Sequence, residues 1–244
     1  TFACILNAYA IIGAVKKGKE IHAQIIIKKE GMETDILVGN ALVDMYGKCG
    51  ELTKAQEVFD KLPVRDVVSW TSIISGYAKI GEDDMVVELF NVMIEEGIEP
   101  NITTFTVVLY ACSHSGLLDE GEVIFANMTT KYGIIPNLEH HTCMIAILGC
   151  AGHFDKALRV IKAMTSSSYA TIWVTLLGAC SRWGNVKLAK LAFDHAVYID
   201  KTCATAYLLM ANMFAALGMQ EEAENIEALR LKSAVWKDYK NSLR

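Results

Sequence analysis

The chain of 244 residues is 52% hydrophobic, holds only 3 Pro and 17 Gly, and carries a formal charge of −5. That composition excludes a disordered or collagen-like polypeptide, and no apolar run reaches the roughly 18 residues a membrane-crossing helix needs, so no membrane partner is expected. The seven cysteines, at 4, 49, 112, 143, 150, 180 and 203, include no CxxC pair. An odd, scattered set reads as reduced thiols of an intracellular compartment and not as a disulfide framework. Thr1-Phe2-Ala3 has neither the basic leader nor the apolar core of a signal peptide. The sequence reads as opening in mid-helix, as a fragment lacking its targeting segment would.

Glycine sets a beat along the chain. Gly13, Gly50, Gly81, Gly116, Gly152, Gly184 and Gly218 are spaced by 37, 31, 35, 36, 32 and 34 residues, which marks a repeat protein. Five residues after each stands a mostly small side chain: Gly18, Ala55, Val86, Gly121, Ala157, Ala189 and Ala223. Nine after come Phe59, Phe90, Phe125, Ile161 and Phe193, and the four-residue offset stacks the two positions on one helix face. Upstream of the glycines lie apolar stretches of helical period, such as Ala41 to Tyr46 and Ile73 to Ala78. The unit is a helix, a glycine turn and a second helix.

A residue just past a helix end often adopts a left-handed backbone that glycine takes without strain. The polar start of the second helix, Thr53-Lys54-Ala55-Gln56 for one, fits a capping box. The small side chain lets helices approach, and the Phe beyond it fills the gap against the next unit. Helices of about 12 residues are marginal alone, so the fold expected is all-α, a right-handed α-solenoid of helix-turn-helix repeats. Pro63, Pro100 and Pro136 punctuate the ends of units.

Residue identities go further than the period. Val38-Gly39-Asn40-Ala41-Leu42-Val43-Asp44-Met45-Tyr46-Gly47-Lys48-Cys49-Gly50, Arg65 to Tyr77, Ala111 to Leu117 and Leu176 to Cys180 closely resemble plant pentatricopeptide repeat proteins of the PLS class, whose repeats alternate in length. In chain order, 1–35 resembles an L motif with a two-residue insertion near Ile27-Lys28-Lys29. Residues 36–66 then resemble an S motif, 67–101 a P motif, 102–137 a second L motif and 138–169 a last S motif. Residues 170–203 and 204–237 resemble the tetratricopeptide-like E1 and E2 motifs, and 238–244 form a tail without the usual Pro-Gly continuation.

The resemblance implies single-stranded RNA as ligand, one base per repeat, selected by a motif's fifth residue and its last. The pairs are Asn40 with Asp66, Thr71 with Asn101, and Thr106 with Asn137. An amide offers a donor and an acceptor that match the uracil edge, and Thr with Asn can match adenine, so the expected core is U-A-A, read 5′ to 3′. No base is assigned to Ala3 with Asp35 or to Thr142 with Tyr169. The second residue of a motif wedges between bases in this family. Leu37 and Val68 suit that stacking, whereas Thr103 and Glu139 do not. Lys48 and Lys79 match a phosphate-meeting position, where His114 is weaker and Cys150 unsuited.

Charge opposes tight RNA binding by this chain alone. Residues 1–169 hold 14 basic against 21 acidic side chains, whereas 170–244 hold 9 against 7, so long-range steering of a polyanion is absent from the repeats. Much of the excess is local, on Glu82, Asp83, Asp84, Glu88, Glu95, Glu96 and Glu99, which are expected on a second helix and its exit, away from the strand.

No catalytic machinery is legible. A zinc deaminase needs an HxE element and a CxxC pair, and Glu139-His140-His141 with Cys143 and Cys150 would spread around a helix without converging on a metal. No glycine-rich phosphate loop occurs, so the chain reads as non-enzymatic and without a cofactor. Trp173, Leu176, Trp183, Tyr207, Met210, Met213 and Phe214 exceed what an end cap needs; most of them are expected in the core, although Met-rich faces favour adaptable protein contacts. Resemblance implies that such tails recruit a deaminase, or an accessory protein carrying one, for C-to-U editing in chloroplast or mitochondrial transcripts. Roles in organelle RNA splicing, stability or translation, and a tetratricopeptide-like protein scaffold, remain open at this point.

Overall fold

The computed structural model describes residues 2–28, 35–164 and 169–242, and every regular element among them is an α-helix. Lys29, in the expected insertion, and the last two residues of the tail lie outside the described residues. Two compact units divide the chain, Thr1–Pro136 and Asn137–Arg244. The first holds hairpins α1 (Phe2–Ile12) with α2 (Val15–Lys28), α3 (Ile36–Lys48) with α4 (Leu52–Lys61), α5 (Val67–Ile80) with α6 (Asp83–Glu95), and α7 (Ile102–Ser115) with α8 (Leu118–Thr130). The second holds α9 (Leu138–Cys150) with α10 (Phe154–Ala163), α11 (Ala170–Trp183) with α12 (Val186–Ile199), and α13 (Ala204–Ala216) with α14 (Gln220–Ser242). First helices pack side by side, α1, α3, α5 and α7 in one unit and α9, α11 and α13 in the other, which is the α-solenoid arrangement of hairpin repeats. No described helix is long and apolar enough to cross a membrane.

Each of the seven metronomic glycines takes the left-handed backbone, with φ between 64° and 81°. At Gly81 and Gly116 a Cβ would meet no atom within 4 Å, so conformation alone, not space, selects glycine there. An alanine would cost about 1 kcal/mol in that region. Two further left-handed glycines, Gly97 (φ 78°) and Gly133 (φ 63°), follow α6 and α8 shortly before Pro100 and Pro136.

Capping departs from expectation. The second helices α4, α6, α8 and α10 have no side-chain cap, and the residue before each is Glu51, Glu82, Leu117 or His153. The capping box expected around Thr53 is absent because α4 enters straight from the glycine turn. There the Glu51 N–H bonds back to Tyr46 O at 2.9 Å, and Glu51 O already accepts from Ala55 N–H at 3.0 Å. Side-chain caps lie instead on the first helices α3, α5, α7 and α9, where an extended residue must be turned into helix, and on α12, capped by Asn185; α11 and α13 have none.

The two positions beyond the glycine pack as their spacing foretold. Ala55, Val86, Ala157 and Ala189 are fully buried, and a Cβ at Gly18 would come within 2.4 Å of Met45 Sδ on the next first helix. Phe59, Phe90 and Phe193 each meet an aromatic ring of the following repeat edge-on: Trp70 at 4.9 Å, Phe105 at 5.7 Å and Tyr207 at 5.3 Å between centroids. Such pairs add about 0.5–1.5 kcal/mol beyond the area they bury.

Neighbouring first helices also touch backbone to backbone. A Cβ at Gly76 would lie 3.1 Å from Gly47 Cα, and one at Gly149 would lie 2.5 Å from Ala179 Cβ. Gly149→Val should therefore lower stability by about 2 kcal/mol through overpacking, read as a drop of several degrees in the thermal midpoint. Gly178→Ala, whose new methyl would meet only Leu209 Cδ1 at 3.9 Å, should leave the midpoint unchanged or raise it, since alanine is the better helix former.

Candidate nucleic-acid interface

The last residue of each motif from 36–66 to 102–137 turns out to be the N-cap of the next first helix. Asp66 Oδ1 accepts from the N–H groups of Val68 and Ser69, both at 2.9 Å. Asn101 Oδ1 accepts from Thr104 N–H at 2.9 Å, and Asn137 Oδ1 from Glu139 and His140 N–H at 2.9 and 3.2 Å. In all three the third residue of the helix answers reciprocally, through Ser69 Oγ, Thr104 Oγ1 and His140 Nδ1, by accepting from the N–H of the cap residue. These are complete capping boxes, with Ser, Thr and His standing where Glu or Gln is usual. Ser69, Thr104 and His140 are all fully buried; Ser69 and Thr104 escaped the sequence reading, which weighed His140 only as a metal ligand, although the recurrent Asp/Asn-x-x-Ser/Thr/His spacing was there to be seen.

Asn40 and Asp66, 26 positions apart, come into direct contact. Asn40, only 6% exposed, donates from Nδ2 to Asp66 Oδ1 at 3.0 Å. Ser69 Oγ lies 2.6 Å from Asn40 Oδ1 and 3.0 Å from Asp66 Oδ1, with a single proton to share between them. Burial is the largest influence on the Asp66 carboxyl and pushes its pKa up. The bonds from Ser69 N–H, Asn40, Ser69 Oγ–H and Val68 N–H together outweigh it and hold the group below its ordinary 3.8. Half of the Asn40 amide's hydrogen-bonding capacity is thereby committed, which leaves one donor and one acceptor.

That pair lines an open groove of about 560 Å³ together with Leu37, Val68 and Lys48. Leu37 is 71% and Val68 49% exposed, a high exposure for aliphatic side chains with no protein partner to cover them. The groove continues along Ala3, Asn7 and Ile11 of α1. The structure thus gathers into one place the amide, the carboxylate, both apolar side chains and the lysine that the sequence had placed on the motif 36–66 and the head of the next.

Thr71 and Asn101 are joined differently. Thr71, 9% exposed, lies 2.7 Å from Thr104 Oγ1, which is itself 3.1 Å from Asn101 Oδ1. The Thr71 hydroxyl donates to the Val67 carbonyl at 2.6 Å, as Thr106 does to Ile102 at 3.0 Å and Thr142 to Leu138 at 2.8 Å. Thr106 belongs to the first unit and Asn137 to the second. Thr103 and Glu139 are exposed polar residues.

Both lysines have internal partners. Lys48 Nζ pairs with Asp44 Oδ2 at 2.8 Å, and Lys79 Nζ donates to the Lys48 carbonyl at the end of α3. The Lys48 side chain is nearly half exposed, so the pair is a surface one that contributes little and exchanges readily. His114 is exposed and packs edge-on against Tyr110, with centroids 4.1 Å apart.

Among the described residues no three His, Cys, Asp or Glu side chains gather as a metal would require. Burial pushes the Cys143 thiol up to about 11 and that of Cys180 to about 12, which makes both inert core thiols at neutral pH. The large apolar side chains at 173–214 are mostly core, as expected. Trp173, Leu176, Tyr207, Met210, Met213 and Phe214 are all buried, and only Trp183, at 57%, faces outward. They form the core of hairpins α11–α12 and α13–α14, so they are not a contact face.

The depressed pKa of Asp66 carries a sign. Its cap stabilises the fold fully above the unfolded value near 3.8, and that stability is lost as pH falls through the lower folded value. The midpoint difference between the native chain and Asp66→Asn should be largest above about pH 5 and shrink below pH 3.8. Thermal melts across pH 2.5 to 7 on the order of half-unit steps read it directly.

Known proteins share this pattern. Residues 40–67, 103–132 and 139–169 match the PPR repeat, and residues 65–114 match a second PPR repeat family. The Arabidopsis thaliana pentatricopeptide repeat-containing protein At4g14820 is 39% identical over 96% of this chain, and CRR2, chloroplastic, from the same plant is 38% identical over 94%. The chain spans 32% and 35% of those relatives' lengths. In structure it is similar to PPR10, from maize, in complex with an 18-nt psaJ RNA element, with a TM-score of 0.72 and 20% identity over 96% of this chain and 35% of that one. It is also similar to the PPR domain of Arabidopsis thaliana protein-only RNase P 1 in complex with tRNA, with a TM-score of 0.53 and 14% identity over 64% of this chain and 83% of that one. These two likenesses are of fold. Aligned with plant relatives over almost its whole length, and built of the same glycine-turned hairpins, the chain belongs to the pentatricopeptide repeat family.

Proposed function

We propose that this chain is part of a sequence-specific single-stranded RNA-binding protein that selects cytidines for C-to-U editing in organelle transcripts, with the deaminase supplied in trans. The groove carries the reading: a half-committed amide, an ionised carboxylate, two exposed aliphatic side chains and a lysine line it together. Aliphatic wedges between bases, polar edges against them and a cation on the backbone are what a single-stranded reader needs. PPR10 and the RNase P domain, solved with RNA, support the ligand class. Relatives labelled chloroplastic support an organelle as the site of action.

The finer assignment rests on the unequal motif lengths and on the resemblance of 170–203 and 204–237 to E1 and E2. In it Asn40 with Asp66 reads uracil, while Thr71 with Asn101, and Thr106 with Asn137, read adenine. Thr71 suits that role because its proton is given to Val67, so the hydroxyl can accept from the adenine amino group. Leu37 and Val68 stack, and Lys48 and Lys79 meet phosphates by exchanging their internal partners. Residues 170–237 engage the deaminase-bearing or accessory protein. Since the large apolar side chains there are core, the contact falls on their exposed remainder, Trp183 among it.

Binding to short RNAs with single-base swaps tests the reading. The chain should favour U-A-A, and the double variant Asn40→Thr, Asp66→Asn should move the first preference from uracil to adenine by roughly fivefold, about 1 kcal/mol. Equal binding to every swap overturns the pair assignment. Editing is tested in a loss-of-function plant line by sequencing organelle transcripts. A cytidine left unedited downstream of a U-A-A-compatible site is expected, and wholly normal editing overturns the editing role.

A further inference from the structure

The base-reading pairs have a third member. Ser69 and Thr104 occupy the third position of the repeat that follows each pair, and both are fully buried. Ser69 Oγ touches the fifth residue of the preceding motif, Asn40 Oδ1, at 2.6 Å, and the last, Asp66 Oδ1, at 3.0 Å. Thr104 Oγ1 likewise touches Thr71 Oγ1 at 2.7 Å and Asn101 Oδ1 at 3.1 Å. Two repeats with different pair chemistry use the same bridge.

We propose that Ser69 and Thr104 are positioning residues that set which hydrogen-bonding face each pair presents to its base. An amide can turn over by exchanging its oxygen and nitrogen, and the two orientations offer a base opposite patterns. Asp66 holds the nitrogen end of Asn40, and Ser69, giving its proton to Oδ1, holds the oxygen end. In the next repeat the Thr104 proton directed at Thr71 leaves Thr71's own proton to the Val67 carbonyl, so that Thr71 meets the base as an acceptor. The polarity of each pair is therefore decided by a residue that does not touch RNA. This inference rests on the RNA-reading assignment above.

The test uses the 244-residue chain, its Ser69→Ala, Ser69→Thr and Thr104→Ala variants, and short RNAs carrying each base at the first or second site of U-A-A. Ser69→Ala should cut the uracil preference at the first site on the order of threefold, the worth of one neutral hydrogen bond, with the second site's preference unchanged. Thr104→Ala should do the reverse. Ser69→Thr should restore the first preference, because threonine already fills the equivalent place at 104. A purely structural role would weaken binding to all the RNAs alike and leave preference intact, and that result overturns the proposal. If the unaltered chain discriminates at neither site, the base-reading assignment fails and the proposal falls with it. The bridge is separately checked without RNA by melting Asn40→Ala, Ser69→Ala and their double variant. Coupled residues give a double loss smaller than the sum, and strictly additive losses overturn the bridge.

Discussion

A hairpin of two short helices, ten to fourteen residues each in all but the last hairpin, buries too little apolar surface to stand alone, and the chain is organised by that deficit. Within each unit a hairpin completes its core against the next: Phe59 on Trp70 and Phe90 on Phe105 in the first, Phe193 on Tyr207 in the second. Because burial occurs between repeats, the first helices are forced side by side, in places so closely that Gly47 and Gly76 meet at the backbone. The close lateral approach brings the fifth residue of one repeat against the entry of the next. Asn40 and Asp66, far apart in sequence, thus become a local cluster.

The same residues serve the helix and the candidate RNA site. Asp66 and Asn101 satisfy N–H groups that a helix start leaves orphaned, and in doing so they hold their remaining polar atoms in fixed directions. Asp66 keeps its charge because several donors outweigh its partial burial. Rigidity of this kind lowers the entropy lost when a ligand binds. Lys48 is balanced by Asp44, and the repeats hold more acid than base, so a strand gains little from long-range attraction.

Period, turn glycines and the small and aromatic positions after them were legible from residue identities alone, since each answers to a local constraint: a left-handed backbone, a helix face, a four-residue offset. All seven glycines stand at positive φ, and the fold class followed. The groove's membership, Asn40 with Asp66, Leu37, Val68 and Lys48, was nameable only through family resemblance, because neither spacing nor composition says which side chains thirty residues apart will touch.

Three matters were decided by tertiary structure alone. Side-chain capping left α4, α6, α8 and α10 for α5, α7 and α9, because the glycine turn supplies backbone bonds of its own, whereas the extended entries do not. Which of the large apolar side chains at 173–214 stays outside, Trp183, was decided by the face a neighbour covers. Ser69 and Thr104 gained their bridging place from the lateral packing of α3, α5 and α7. A serine or threonine three residues into a helix carries no mark of its partner, since that partner arrives from another repeat and is fixed by side-chain volume and close packing across the whole stack.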